Sequence, residues 1–217
     1  MNGEENETIY KRIIDTNFMA SFIYYIMYFS IKRLFYLYKF YILFRNYYLF
    51  CAKGYFSIKE LKANVAKGKK FWVPVALTIL GLILAYVVSY LPKMLFPNLN
   101  DGMIGLKRDN WIKLILFAIS TIVFPSLAEE LFYRKALINF QSKTILFVST
   151  IIGLFLFALE HSLSWYGILM AMIWGIPFSI SYIKTKNIYI PMMAHFIVDL
   201  LGNGSSVIIT AIYFLNK

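Results

Sequence analysis

Glutamates, histidines and an arginine recur in the second half of the chain at spacings that suit catalysis. Glu130 and Arg134 are four residues apart, as are His195 and Asp199, so each pair can meet on one face of a helix. Glu129 lies about 100° around the helix from Glu130, so the two carboxylates cannot both point towards Arg134. One glutamate can therefore be paired while the other stays free to act.

His161 adds a second imidazole, four residues after Phe157 in the sequence FALEH. A carboxylate helped by a histidine can take a proton from water while other groups stabilise the developing oxyanion. Glu129, His161 and His195 could instead hold zinc, with water in the fourth position. The residue types are compatible with either kind of hydrolytic site.

Each of these residues also has a purely structural interpretation. Glu130 with Arg134 alone is typical of an ion pair at a cytoplasmic helix end, and a single membrane histidine often makes an interhelical hydrogen bond. We expect Glu160 at the level of the lipid head groups, because it lies about 100° from His161. A charge at mid-bilayer costs at least about 2.5 to 3.5 kcal/mol. The coincidence of rare ionisable groups on three apolar segments therefore favours one shared polar site.

The elements that must position these residues are apolar runs long enough to cross a bilayer. Of the 217 residues, 60% are hydrophobic and 15% are charged, too few charges to cover the surface of a soluble protein of this size. The predicted membrane helices are Phe71–Leu91, Trp111–Ala128, Ile145–Glu160, Trp165–Ile183 and Ile188–Leu215. We predict an all-α, polytopic transmembrane helical bundle of about six to eight helices. The sequence GNGSS at Gly202–Ser206 could bend or break the last of them.

The first third of the chain is aromatic and basic. Phe18–Ile31 and Leu34–Cys51 fit either spans or segments at the membrane interface. Lys53–Lys70 carries six lysines and one glutamate, which assigns it to the cytoplasmic face. The opening residues lack a small-residue cleavage site, which argues against a cleaved signal peptide. A single Cys51 excludes an internal disulfide and a cysteine-based metal site.

The net charge is +11. The basic residues cluster in the gaps between apolar runs, which is the pattern of a membrane protein. This placement argues against nucleic-acid binding. Threading the spans alternately puts Glu129 and Glu130 at the cytoplasmic end of their helix, where we expect catalysis. The same threading puts the end of the span that carries His161 on the opposite side. That span must tilt, or His161 must lie deep in the membrane.

Three short motifs occur in order: EELFYR, FALEH and HFIVD. They resemble the EExxxR, FxxxH and HxxxN/D motifs of the CPBP intramembrane proteases, which include the CAAX prenyl endopeptidases and the bacterial Abi, or bacteriocin-immunity-associated, proteins. The resemblance covers roughly Lys113 to Ser205. We therefore divide the chain into N-terminal membrane-associated segments with a basic loop, 1–110, and a catalytic core, 111–217.

The resemblance implies a role for each motif residue. Glu129 with His161 would activate the attacking water. Glu130, Arg134 and Phe157 would support the site or contact the substrate. His195 with Asp199 would stabilise the oxyanion. CAAX-type members have Asn at position 199, so Asp199 must be protonated, orient His195 or bind a metal. The zinc motif HExxH is absent, which favours metal-free, glutamate-activated water over a zinc site.

We therefore predict an intramembrane endopeptidase that hydrolyses a peptide bond of a membrane-embedded or lipid-modified peptide, in CAAX-type or bacteriocin processing. The expected location is a bacterial cytoplasmic membrane, and no pattern indicates an oligomeric state. The alternatives are a non-catalytic bacteriocin self-immunity or scaffold protein and a small proton-coupled transporter. Loss of a motif residue would favour the immunity protein, and none is lost.

Overall fold

Six helices make up the described part of the chain, as predicted. The structure is a computed structural model that describes Gly54, residues 56–103 and residues 105–217. The segments Phe18–Ile31 and Leu34–Cys51 lie outside these residues. The helices are α1 (Ile58–Val65), α2 (Lys69–Leu95), α3 (Trp111–Ala136), α4 (Lys143–Leu159), α5 (Trp165–Thr185) and α6 (Tyr189–Leu215). Apart from an isolated bridge between Met103 and Ser162, these residues contain no strand, so the all-α prediction is confirmed.

Helices α2, α3, α5 and α6 are long and apolar enough to cross a membrane. Helix α4 has 17 residues and is the shorter apolar helix of the bundle. Large aliphatic side chains on the outer faces of α2 and α6 are exposed, among them Leu77, Leu84, Leu201 and Ile209. Exposure on this scale marks a surface that faces lipid rather than water. The chain is an integral membrane protein.

Polar side chains fix where three of the membrane helices begin. Asn110, Ser142 and Ser164 each accept a hydrogen bond from the backbone N–H three residues further on. These bonds satisfy donors that the first turn of a helix leaves free. The predicted starts of α3, α4 and α5 consequently lie within two residues of the observed ones.

Helix α3 is irregular and longer than predicted. Ile119–Val123 and Glu130–Ala136 are π-helical, and α-helical Phe124–Glu129 lies between them. Pro125 has no N–H to continue a regular α-helix, which fits the wider turn before it. The predicted end at Ala128 is wrong, because the charged residues that follow find buried partners inside the protein. Single π-helical turns often occur at functional sites.

Helix α5 packs against α2, α4 and α6, and α6 also packs along α3. The core includes Phe71, Val75, Leu131, Phe157 and Phe178. This arrangement brings α3, the end of α4 and α6 around one polar region.

Helix α6 is continuous from Tyr189 to Leu215, so the sequence GNGSS at Gly202–Ser206 does not break it. Asn203 donates a hydrogen bond to the Thr121 carbonyl oxygen at 3.0 Å. Gly204 is buried near Ile122. The polar stretch therefore serves as a contact with α3, while its own helical hydrogen bonds stay intact.

Candidate active site

Glu129 is buried inside α3, and its side chain lines a cavity. Glu129 is 2% exposed, and its Oε2 atom makes no hydrogen bond within the described ranges. The cavity has a volume of about 410 Å³, within the range of small-ligand sites. Its ionisable lining residues are Arg108, Glu129, Glu160, His161, His195 and Asp199. The structure thus brings together the carboxylate, the two imidazoles and the Asp that the sequence proposed as a single site.

Glu130 points away from the cavity and into the protein. Its Oε1 atom lies 2.9 Å from Nδ1 of His195 and 3.3 Å from Nη1 of Arg134. Glu130 and Arg134 are 0% and 1% exposed. The pair is therefore a fully buried link between α3 and α6, not an ion pair at a cytoplasmic helix end.

Arg134 is enclosed by aromatic rings and a backbone carbonyl. Its guanidinium carbon lies 4.5 Å from the ring centroid of Phe157 and 5.2 Å from that of Phe178. Its Nη2 atom donates a hydrogen bond to the Gly175 carbonyl oxygen at 3.2 Å. Contacts with α4 and α5 thus stabilise the charge by cation–π attraction and hydrogen bonding. Arg134 supports the site from behind, since it does not line the cavity.

His195 is held between carboxylates on two sides. Its Nδ1 atom faces Glu130, and its Nε2 atom lies 3.3 Å from Oδ2 of Asp199 on the same helix. The ring also stacks on Phe178, with centroids 4.6 Å apart. Asn203 lies one turn further, with Nδ2 at 3.5 Å from Oδ1 of Asp199. Asp199 is thereby placed to orient His195, one of the three roles open to it from the sequence.

His161 lies just beyond the end of α4 and faces the same cavity as Glu129. Its Nδ1 atom is 2.9 Å from the Phe157 carbonyl oxygen, and its ring centroid is 4.4 Å from that of Phe157. When Nδ1–H donates this bond, the neutral ring keeps Nε2 as a base. Phe157 thus contacts both His161 and Arg134.

Helix α4 is short, and the position of its end determines where His161 lies in the bundle. Gly153 of α4 lies against the backbone of Tyr133 in α3, where an added Cβ would be 2.8 Å from the Tyr133 carbonyl oxygen. Two helical turns further along, the antiparallel α4 ends opposite Glu129. Because α4 ends at this level, His161 lines the same cavity as Glu129 although the two helices run in opposite directions.

Glu160, expected at the level of the lipid head groups, is half-buried next to His161. It lines the cavity and accepts a hydrogen bond from the Tyr133 hydroxyl at 2.5 Å. Sequence reasoning missed Tyr133 and Asn203, although Tyr133 lies inside EELFYR and Asn203 follows Asp199 by four residues.

The loop between α2 and α3 forms one wall of the cavity. Lys93 pairs with Asp101 at 2.6 Å, and the Lys93 ammonium holds the pKa of the Asp101 carboxyl below its usual value. The Asp101 carbonyl oxygen accepts a hydrogen bond from the Ser162 hydroxyl at 2.5 Å. These contacts fix the loop to the turn after α4. Met103, Gly105, Leu106 and Arg108 then line the cavity.

The cavity therefore extends from Glu129 towards the end of the bundle that is opposite to α1. Helix α1 lies at the other end, where Ser57, Glu60 and Asn64 contact the start of α6 and the turn before it. The expectation that Glu129 and Glu130 lie at the end of their helix is not met. Helix α3 continues for seven residues beyond Glu129, and its opposite end adjoins the loop that lines the cavity.

Residues 111–201 match the family model described as Type II CAAX prenyl endopeptidase Rce1-like. All three motifs lie inside the matched segment. The match supports the CPBP/CAAX protease family for this segment. The family predicted from EELFYR, FALEH and HFIVD is thus confirmed. No curated protein and no solved structure matches the chain.

The CPBP motif residues do not form a good zinc site. No group of three His, Cys, Asp or Glu residues in the described ranges is placed to hold a metal ion. Both ring nitrogens of His195 face carboxylates, and Nδ1 of His161 faces a carbonyl oxygen. The set Glu129, His161 and His195, as placed here, therefore does not fit zinc.

Proposed function

We propose that the chain is an intramembrane endopeptidase in which Glu129 activates the attacking water. The observation that carries this proposal is the buried Glu129 carboxylate, whose Oε2 atom lacks a hydrogen-bond partner in the described chain and which shares its cavity with His161. A buried carboxylate beside a basic imidazole is suited to remove a proton from water. An unpaired buried carboxylate is otherwise costly, so a catalytic role explains its presence.

The reaction uses the side chains as follows. Water held by Glu129 and His161 gives a proton to Glu129 as its oxygen bonds to the peptide carbonyl carbon. The oxyanion of the tetrahedral intermediate accepts a hydrogen bond from Nε2–H of His195. That atom is 3.3 Å from Asp199, longer than an ordinary N–H···O bond, so the hydrogen can turn to the substrate. The proton on Glu129 then passes to the leaving nitrogen as the C–N bond breaks.

Substrates of this reaction are peptides held at the membrane. The family of the matched segment is named for prenyl endopeptidases, which supports a lipid-modified or membrane-inserted peptide. The cavity walls combine the polar catalytic residues with Met103, Leu106 and Phe117. Such walls accept an apolar peptide side chain while the carbonyl meets polar groups. The membrane around the chain is the bacterial cytoplasmic membrane in this proposal.

Glu129→Gln tests the general base. The change keeps size and burial but removes the base, so we expect activity to fall by about 10²- to 10⁴-fold. The assay follows hydrolysis of a farnesylated peptide by the purified full chain in detergent, with mass spectrometry of the products. Asp109→Asn, at an exposed residue paired with Lys113, serves as the control and should keep activity.

Two outcomes would contradict the proposal. Full activity of Glu129→Gln, His161→Ala and His195→Ala variants that still insert would exclude this hydrolytic site. Loss of wild-type activity with a zinc chelator, restored by added zinc, would contradict the metal-free step.

A further inference from the structure

Asn203 lines the cavity from helix α6 and lies just beyond residues 111–201, which match the family model. It is half-buried, and its Nδ2 atom donates a hydrogen bond to the Thr121 carbonyl oxygen on α3 at 3.0 Å. The same nitrogen lies 3.5 Å from Oδ1 of Asp199, one helical turn before it. An amide nitrogen carries two hydrogens. A single side chain therefore contacts both α3 and the carboxylate beside His195.

Helices α3 and α6 are joined by two polar contacts, and Glu129 lies between them along α3. The first contact is between Glu130 Oε1 and His195 Nδ1 at 2.9 Å, and the second is the bond from Asn203 to Thr121. The two α6 residues are eight positions apart, or about 12 Å along an α-helix, whereas the two α3 residues are nine positions apart. The π-helical turn that contains Thr121 accommodates the additional residue, because a π-helix has a wider turn. Both contacts can therefore form at once.

Asp199 connects the second contact to the imidazole of the site. Its Oδ2 atom lies 3.3 Å from Nε2 of His195, and its Oδ1 atom faces the Asn203 amide. The donors around a carboxylate determine how the carboxylate is oriented. The orientation of a histidine ring depends in turn on the group that its N–H faces. A change at Asn203 is therefore expected to reach His195 through Asp199.

On the basis of the proposed function, we propose that Asn203 is a positioning residue for the hydrolysis. Its amide holds the Asp199 carboxylate towards His195, so that Nε2–H of His195 is directed to the place where the oxyanion forms. Asn203 itself does not touch the reacting atoms. Its loss lowers kcat more than KM, because the oxyanion exists only after the peptide carbonyl has been attacked.

Exchange of the amide and the carboxylate separates this role from a purely structural one. Asn203→Asp keeps the size of the side chain, but it removes the donor and places a second carboxylate beside Asp199. In the Asp199→Asn background, the pair again consists of one amide and one carboxylate, while the donor to Thr121 is still missing. A purely structural role through Thr121 therefore predicts the same loss in both backgrounds.

The kinetic experiment compares the wild type, Asn203→Asp, Asp199→Asn and the double variant as full chains in detergent, with the farnesylated peptide as substrate. We expect Asn203→Asp to lower kcat by about 10- to 100-fold, as when a group that orients a catalytic ligand is lost, with little change in KM. Asp199→Asn should stay active, because an amide oxygen can still accept the Nε2–H hydrogen of His195. In that background, Asn203→Asp should lower kcat by less than about threefold.

Ser205→Ala is the matched control on the same helix. Ser205 is exposed, and its hydroxyl donates to the Gly202 carbonyl oxygen at 2.7 Å, so the variant should keep the wild-type kcat. Equal losses for Asn203→Asp in the two backgrounds, or a loss confined to KM, would overturn the inference.

NMR provides a second measurement that needs no turnover. The chain has two histidines, so protein labelled with 15N in the imidazole rings gives few signals, and His161→Gln assigns those of His195. These signals report the tautomer and the hydrogen bonds of each ring. We expect Asn203→Leu to alter the His195 signals and to leave the His161 signals as in the wild type, which shows that the variant is folded. Ser205→Ala should alter neither.

Two results of the NMR experiment would contradict the inference. His195 signals that are the same in the wild type and in Asn203→Leu would show that Asn203 does not position the ring. Changes of equal size at both histidines would show a general structural role. A wild type that does not cleave the peptide, with His195 signals that still respond to Asn203→Leu, would count against the proposed function alone.

Discussion

Two adjacent glutamates in EELFYR have opposite environments at the scale of single residues. Glu130 Oε1 lies near Arg134 and His195, which fixes its side chain inside the bundle. Glu129 faces the cavity with one oxygen unpartnered in the described chain. One position therefore links two helices, and its neighbour is placed for the proposed chemistry.

The Glu130–Arg134 pair should be sensitive to loss of either partner. Arg134→Met leaves a buried carboxylate with only His195 beside it, and removing one member of a buried pair costs about 3 to 5 kcal/mol. We expect Arg134→Met and Glu130→Gln each to lower the thermal unfolding temperature in detergent strongly. The double variant should lose less than the sum of the two.

The exposed pair Asp109–Lys113, also four residues apart, is the matched control. Asp109→Asn should change stability by no more than about 1 kcal/mol, because exposed ion pairs contribute little. Wild-type thermal stability of Arg134→Met would show that the buried pair is not structural.

Helical periodicity was enough to separate Glu129 from Glu130, because the two positions differ by a fixed angle along any helix. It could not place Glu160, Asn203 or Arg108. Their positions depend on where α4 ends and on how the loop before α3 folds back, and both are set by contacts between distant parts of the chain.

At the scale of elements, the close contact of α3 and α4 sets the geometry of the site. It depends on Gly153, where the backbone of Tyr133 takes the space of a side chain. One turn beyond Gly153, Phe157 contacts Arg134, and just after the end of α4 His161 lines the cavity together with Glu129. A shift of α4 would therefore move His161 relative to Glu129.

Gly153→Ala should push α4 away from α3. An added Cβ would meet the Tyr133 carbonyl oxygen at 2.8 Å, and overpacking typically costs about 1 to 3 kcal/mol. We expect lower thermal stability and lower activity, although alanine favours the helix by up to about 1 kcal/mol. Gly202→Ala is the control, because nothing lies within 4 Å of its added Cβ. Equal stabilities of the two variants would contradict a tight α3–α4 contact.

The starts of α3, α4 and α5 were predictable from the sequence because a polar capping residue precedes each of them. The end of α3 and the continuity of α6 were not. The charged residues after Ala128 were interpreted as the end of a helix, but they are buried with partners inside the protein. The glycine and serine residues at Gly202–Ser206 were interpreted as a possible break, but this stretch forms an interhelical contact. Both errors arise because tertiary contacts overrule local residue preferences.

At the scale of the whole molecule, charge is distributed unevenly between the two ends of the bundle. Residues 56–70, 135–143 and 184–186 carry Lys59, Lys62, Lys67, Lys69, Lys70, Lys135, Lys143, Lys184 and Lys186. The opposite end has fewer basic residues, and its Asp101 and Asp109 pair with lysines. The positive-inside rule then predicts that α1 lies in the cytoplasm and that the cavity wall formed by the α2–α3 loop faces the outer side.

Cysteine labelling tests this orientation. In a Cys51→Ser background, we expect Lys107→Cys to react with a membrane-impermeant maleimide in intact bacterial cells. Lys184→Cys should react only after the membrane is permeabilised. The reverse pattern would place the cavity towards the cytoplasm, where a prenylated cytoplasmic peptide could reach it directly.

The 17 residues of α4 also affect the surrounding bilayer. They measure about 26 Å, less than the roughly 30 Å of a typical hydrocarbon core, and the turn that follows contains His161 and Ser162. The lipid leaflet beside this turn must thin locally, or its acyl chains must tilt, to avoid covering polar groups. We therefore expect hydrophobic mismatch at α4 to shorten the route of water to the buried Glu129, so that hydration of the site depends on the acyl-chain length of the membrane around it.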